Sequence, residues 1–132
     1  MMCVLDACAL LAYLRGEDGA QQVADLLVNQ TCCVHPANLC EVFYGYSRER
    51  GESAGYEALE TLQGLGLMLF EETDLDFWMQ AGIHKVRLGR ISLADCLCLT
   101  LAQRLDAELI TSDHHEFDQV AQQNLCRVRF IR

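Results

Sequence analysis

Along this chain, short unbroken apolar runs alternate with stretches in which apolar positions recur at helical spacing, as expected of strands separated by helices. Met2–Leu5 is a β-prone run closed by Asp6, and Ala7–Arg15 then carries apolar and small residues at helical intervals. A break at 16–19, with Glu17 and Asp18 between two glycines, separates it from Ala20–Asn29, where Val23, Leu26 and Leu27 share a face. Thr31–Val34 reads as a buried strand. His35-Pro36 ends it, because proline removes a ladder donor and biases its predecessor away from helix. A helix begins near Ala37, with Leu39, Val42, Phe43 and Tyr46 as its apolar stripe and Glu41 about one turn in. Residues 51–66 place Tyr56, Leu59 and Leu62 at helical spacing, 67–70 is a strand candidate, and 74–87 is a helix expected to face Phe77, Trp78, Ala81 and His84 inward.

The stretch 92–117 sets two aspartates around one helix-strand unit. Ser92 followed three residues later by Asp95 fits a capping box, so Ser92 caps a helix running to about Leu105. Glu108–Thr111 is the strand after it, 116–123 a short helix, and 126–131 alternates like a half-exposed edge strand. Strands separated by helices throughout imply an α/β fold in three layers, with a mainly parallel sheet of about four to five strands and helices on both faces. At 132 residues, one domain spanning 1–132 is expected.

Composition narrows the partners. Hydrophobic residues make up 52% and charged residues 22%, with one proline, a globular profile. The apolar runs are too short or too interrupted to span a bilayer, and no basic region precedes them at the N-terminus, so a soluble cytoplasmic protein is expected. Eight cysteines without a Cys-x-x-Cys pair read as reduced core residues, and the ligand spacing of known zinc modules is absent around His114 and His115. A net charge of −9 argues against a broad nucleic-acid-binding surface. It leaves room for a local basic strip from Lys85, Arg87 and Arg90, with Arg48 and Arg50 elsewhere.

The sheet organises the acids. In a parallel α/β layer, residues just after strands and at the starts of the returning helices lie at one edge. Asp6 follows the first strand, Glu41 lies early in the helix after the second, Asp95 begins the helix leading into the fourth, and Asp113 follows that strand. Taken singly, Asp95 is explained by capping and Asp113 by a turn. Together, carboxylates about 4 Å apart repel by roughly 4 kcal/mol per pair at an effective dielectric near 20, so protons or a cation must neutralise them. Oxygen donors without an accompanying histidine or thiolate set favour Mg²⁺ first and Mn²⁺ second. An ion so held suits phosphodiester hydrolysis. Asp6 and Asp95 are the expected direct ligands, with Asp113 completing or bracing them and Glu41 binding a second ion or orienting the water. Thr111, Ser112 and Asn38 are expected to hydrogen-bond these acids or a substrate phosphate. His114, His115 and Asp118 are weaker candidates for assisting a leaving group.

Four segments carry a family resemblance: Val4-Leu5-Asp6-Ala7-Cys8-Ala9-Leu10-Leu11, Ala37-Asn38-Leu39-Cys40-Glu41-Val42, Ser92-Leu93-Ala94-Asp95 and Thr111-Ser112-Asp113-His114-His115-Glu116-Phe117. In this order, and nearly end to end, the chain resembles the PIN-domain family and more narrowly the VapC-type toxin ribonucleases. The resemblance implies a PIN-like α/β/α fold, a Mg²⁺- or Mn²⁺-dependent endoribonuclease with Asp6, Glu41, Asp95 and Asp113 as its acids, a homodimer, and inhibition by a cognate VapB-type antitoxin. Cys8 departs from the serine or threonine usual there, and a thiol is the poorer hydrogen-bond partner. The competing expectation is a PIN-like scaffold that binds an antitoxin or RNA without cleaving it. A phosphoacceptor receiver domain is disfavoured, since no lysine follows Ile110 or Ile131.

Overall fold

The computed structural model describes residues 1–132. Five strands, β1 (Met2–Leu5), β2 (Thr31–Val34), β3 (Met68–Leu69), β4 (Glu108–Thr111) and β5 (Val128–Phe130), form one sheet in the order β3-β2-β1-β4-β5. Every pairing is parallel, so the sheet is wholly rather than mainly parallel. Seven helices connect the strands: α1 (Ala7–Arg15), α2 (Ala20–Asn29), α3 (Pro36–Arg50), α4 (Glu52–Gly64), α5 (Leu75–Leu88), α6 (Leu93–Leu105) and α7 (His114–Gln122). No helix is long and apolar enough to cross a membrane.

The two-residue period of β1 creates the three layers. Cys3 and Leu5 point into a core shared with α1, α2, Leu39 and Val42 of α3 and Leu62 of α4. Val4, between them, points into a second core built by α5, α6 and α7 around Phe77, Leu99 and Phe117. With both faces covered, the central strands read as continuous apolar runs. The edge strands are short, two residues in β3 and three in β5, which limits the backbone they leave unpaired.

Several expectations need correction. Trp78 does not face inward. It is 48% exposed and donates its indole N–H to Thr73, while Phe77, Ala81, His84 and Leu88 form the buried face. Tyr56 is 63% exposed, and Ala58 and Leu62 pack in its place. The strand expected at 67–70 shrinks to two residues because only Met68 and Leu69 pair with β2. All eight cysteines are free, but Cys40 is exposed and only five of them are buried.

Parallel pairing sends every strand C-terminus to one edge, where four helices begin. Asp6 caps α1, His35 caps α3, Ser92 caps α6 and Asp113 caps α7, each through a side-chain acceptor for a first-turn N–H. Capping explains why Asp6, His35 and Asp113 stand just past the ends of apolar strands, while Ser92 does the same work after α5.

Candidate metal centre

Asp6 stands at the end of the central strand and is 1% exposed. Its backbone N–H continues the β1–β4 ladder by donating to the Ile110 carbonyl at 3.1 Å. One carboxylate oxygen accepts the Ala9 N–H at 2.8 Å, and the other accepts the Thr111 hydroxyl at 2.5 Å. The Thr111 Oγ1 in turn accepts the Asp113 N–H at 2.9 Å. One buried hydroxyl therefore ties Asp6 to the backbone of Asp113.

A second chain of bonds runs through α6 and α7. Asp113 accepts the Glu116 N–H at 3.1 Å, Glu116 accepts the Ser92 N–H at 3.2 Å, and Ser92 Oγ accepts the Asp95 N–H at 3.1 Å. In a complete capping box the residue at Asp95 would take the Ser92 N–H. Glu116 takes it instead from the neighbouring helix. Carboxylate oxygens of Asp95, Asp113 and Glu116 all lie within 4.8 Å of one another.

The electrostatics register this crowding. Burial, opposed by the bonds from Thr111 and Ala9 and reinforced by Asp95 and Asp113, pushes the Asp6 carboxyl up to about 7. Asp95 is pushed to about 7 as well, by burial first and then by Glu116, Glu41 and Asp113. Burial also raises Glu41. Cys8 is half-buried, and its thiol is pushed up to about 12 by burial and by Asp6, Asp113, Asp95 and Glu41 together. It therefore stays protonated at neutral pH.

Four acids expected from the sequence, Asp6, Glu41, Asp95 and Asp113, thus act on one neighbourhood. Thr111 is fully buried and bonded to Asp6, and Ser112 is half-buried beside it. Asn38 does something other than expected: its amide donates to the Ala94 carbonyl at 3.2 Å, fastening α3 to the first turn of α6, and its Oδ1 is buried without a partner. His114 is held by Asp118 and the Arg132 carbonyl, both at 2.8 Å, and stacks on Phe130 at 4.0 Å. Those two bonds, the Arg132 carbonyl first, raise its pKa. Sequence reasoning missed Glu116 as a member of the cluster. The spacing Asp113-x-x-Glu116 repeats that of Ser92-x-x-Asp95 and was the available signal.

The donor set fits a hard divalent ion. Octahedral Mg²⁺ binds oxygens at about 2.1 Å, which puts opposite ligands about 4.2 Å apart. Three ligands on an octahedron include adjacent pairs only about 3.0 Å apart, so the Asp95, Asp113 and Glu116 oxygens, within 4.8 Å of one another, would draw inward to share one ion.

Of the ten lysines and arginines, Arg15, Arg104, Arg127, Arg129 and Arg132 pair with carboxylates. Arg48 and Arg50 lie over the rings of Tyr44 and Tyr46, and Lys85 donates to the Gly89 and Ile91 carbonyls. Arg87 and Arg90 are exposed, and Arg90 stands two residues before the Ser92 cap.

Comparison with solved structures finds the same fold in toxin–antitoxin proteins. VapBC2 of Rickettsia felis bound to a promoter DNA fragment matches with TM-score 0.76 at 17% identity, covering 98% of each chain. VapBC-1 of nontypeable Haemophilus influenzae matches with TM-score 0.72 at 20% identity, covering 99% of this chain and 98% of the other. VapC20 of Mycobacterium tuberculosis, a sarcin-ricin loop cleaving toxin, matches with TM-score 0.71 at 17% identity, covering 89% and 94%. A comparison with curated protein sequences finds no match. A family model described as the PIN domain matches residues 3–123, nearly the whole chain, and with the acid-lined edge it matches in kind, this protein belongs to the PIN-domain family.

Proposed function

We propose that this PIN-domain protein is a metal-dependent endoribonuclease, the toxin of a type II toxin–antitoxin pair, acting in the cytoplasm as a homodimer and held inactive by a VapB-type antitoxin. The observation that carries this reading is the gathering of carboxylates at one sheet edge, where burial and the neighbouring acids push Asp6 and Asp95 up to about 7. Acids pushed to about 7 by burial and by one another need positive charge to ionise together at neutral pH. Supporting the toxin assignment is the fold shared with the Rickettsia, Haemophilus and Mycobacterium proteins.

In this reading Asp95 and Asp113, with Glu116 beside them and Asp6 behind, hold Mg²⁺ or Mn²⁺, and Glu41 orients the attacking water or holds a second ion. When bound, the ion supplies positive charge to the phosphoryl oxygens and a more acidic water nucleophile. The chain itself supplies orientation. Thr111 fixes both oxygens' plane at Asp6, leaving the lone pairs not used by Ala9 and Thr111 for the ion. The N-termini of α1, α6 and α7 direct their dipoles at the same edge, which favours an incoming phosphate. Arg90 and Arg87 give that phosphate a basic approach on an otherwise acidic surface.

The test is RNA cleavage by purified protein with Mg²⁺ or Mn²⁺, compared with Asp6→Ala and Asp95→Ala. Cutting that disappears in both variants supports the reading, and equal cutting by them assigns the activity to a contaminant. Expression with and without the adjacent open reading frame tests the antitoxin: the neighbour should relieve growth arrest, and Asp95→Ala should cause none.

A further inference from the structure

Helix α3 brings Glu41 to the acid-lined edge, and the same face of the helix carries two more side chains away from it. Tyr44 and Arg48 follow Glu41 by three and seven residues. That spacing sets them within about 60° of Glu41 around the helix and about 4.5 and 10.5 Å farther along its axis. Tyr44 is 48% exposed, and the Arg48 guanidinium lies over its ring at 5.5 Å without a carboxylate partner. Tyr56 of α4, 63% exposed, lines the same groove of about 450 Å³, with Phe43, Ser47 and Glu52.

The packing of α4 on α3 fixes this arrangement. A Cβ at Gly55 would collide with Ser47 Oγ and stand 2.9 Å from the Phe43 ring. Glycine there lets the helices close, and the Tyr56 ring rests 4.9 Å from that of Phe43. Neither exposed tyrosine is needed for the core, since Leu39, Val42, Ala58 and Leu62 are the apolar side chains that α3 and α4 bury.

We propose that the groove is a base-stacking subsite for a single-stranded stretch of RNA, with a base against the Tyr44 and Tyr56 rings and a neighbouring phosphate on Arg48. The subsite rests on the endoribonuclease reading and gives it residues that hold the strand beside the acids. Three features favour a nucleic-acid strand as the occupant. The stripe begins at Glu41, so a strand lying along it reaches the acid-lined edge within a few nucleotides. Aromatic rings and a guanidinium plane offer flat faces on which bases stack. The lining contains no aliphatic side chain, which a docked amphipathic helix would require of its groove. Glu52 opposes a phosphate in the same lining, which gives the subsite a second electrostatic signature opposite in sign to that of Arg48.

The experiment reads binding and cleavage separately on the full chain. In chelator and low salt, anisotropy of a labelled single-stranded RNA of roughly 12 nucleotides gives the Kd. With Mn²⁺, cleavage of the same RNA gives KM and kcat. Tyr44→Ala should raise both Kd and KM about tenfold and leave kcat within about twofold, as expected for a group that binds ground and transition states alike. Tyr44→Phe keeps the ring and should stay within about twofold of wild type in Kd. Arg48→Ala should weaken binding and reduce the slope of log Kd against log salt by about 0.7, the loss of one phosphate contact on a single strand. Glu52→Gln should tighten binding about two- to threefold. Circular dichroism should be unchanged in all four variants.

Wild-type cutting with Kd and KM unmoved by Tyr44→Ala and Arg48→Ala overturns the subsite and leaves the endoribonuclease standing. If those variants lose only the binding of the adjacent open reading frame's product, the face belongs to that protein and the subsite is likewise overturned. RNA binding that depends on Tyr44 and Arg48 without any cutting supports the subsite and removes the enzyme. A wild-type chain that neither binds nor cuts RNA overturns both.

Discussion

Asp6 and Asp113 both cap helices at the same edge of the sheet, and their surroundings differ sharply. Asp6 is sealed at the end of the central strand, with each oxygen already accepting a bond, and its backbone belongs to the β1–β4 ladder. Asp113 sits half-buried in a group with Asp95 and Glu116 whose members come from two helices joined by side-chain bonds. The first region is rigid because its geometry is also the geometry of the sheet. The second can adjust by small movements of α6 against α7. An acid site built this way has one fixed wall and one adaptable wall, and changes on the two sides should have different costs.

The largest contrast should appear in activity against stability. Asp95→Ala is expected to reduce metal-dependent RNA cleavage by about 10³-fold, on the order of 4 kcal/mol of transition-state stabilisation. The same change removes a carboxylate that its neighbours oppose, so the thermal midpoint of the metal-free protein should hold or rise. Asp6→Ala should lose as much activity and, unlike Asp95→Ala, should also lose the α1 cap, costing about 1 kcal/mol in stability at pH 5. Equal thermal midpoints for the two variants at that pH would erase the distinction between the walls.

A comparable effect is expected from pH. Asp6 keeps its proton up to about 7 in the folded chain and only to 3.8 in the ordinary state. Between those values Asp6 holds more proton in the folded chain than in the unfolded one, so its contribution to stability is fully present below about 4, falls as pH rises, and is lost above about 7. For Asp6 alone the span is on the order of 4 kcal/mol, and Asp95 adds in the same direction. Urea unfolding in chelator at pH 5 and pH 8 measures it. Saturating Mn²⁺ should flatten the dependence, since an ion stabilises the ionised acids.

Thr111→Val keeps the shape of a fully buried side chain and deletes both of its bonds. The expected loss is about 1–3 kcal/mol of stability, because the Asp113 N–H and an Asp6 oxygen lose their partner. Smallest should be Glu116→Gln on the adaptable wall. The amide oxygen can still accept the Ser92 N–H, so stability should change by less than about 1 kcal/mol. Mn²⁺ affinity measured by calorimetry should nevertheless fall several-fold. A larger stability loss for Glu116→Gln than for Thr111→Val would reverse the assignment of rigid and adaptable sides.

How much of this was legible in the sequence follows the same division. β1, α1, α2, β2 and β4 lie where the apolar runs, the helical spacing and their polar terminators put them, because runs of four apolar residues closed by Asp6 or His35 are too short for helices. Asp6 and Asp113 were visible as acids directly after strands. Glu116 was overlooked: its spacing from Asp113 marks it as a first-turn acid, but its place beside Asp95 depends on α7 lying against the start of α6, which local spacing does not encode. Trp78 and Tyr56 misled for another reason: an aromatic ring with a polar atom can rest half in water and still sit at helical spacing with the core. Asn38 was placed at the correct edge with the wrong partner, since an amide donor is satisfied as well by the Ala94 carbonyl as by a carboxylate.

The bond from Thr111 to Asp6 spans 105 residues of sequence. Nearly the whole polypeptide must be threaded before those two side chains can meet, so a nascent or half-collapsed chain offers no complete cradle for a cation. Any cation that needs that cradle would then act as a late inspector of assembly, capturing only molecules whose first and fourth strands have already found each other.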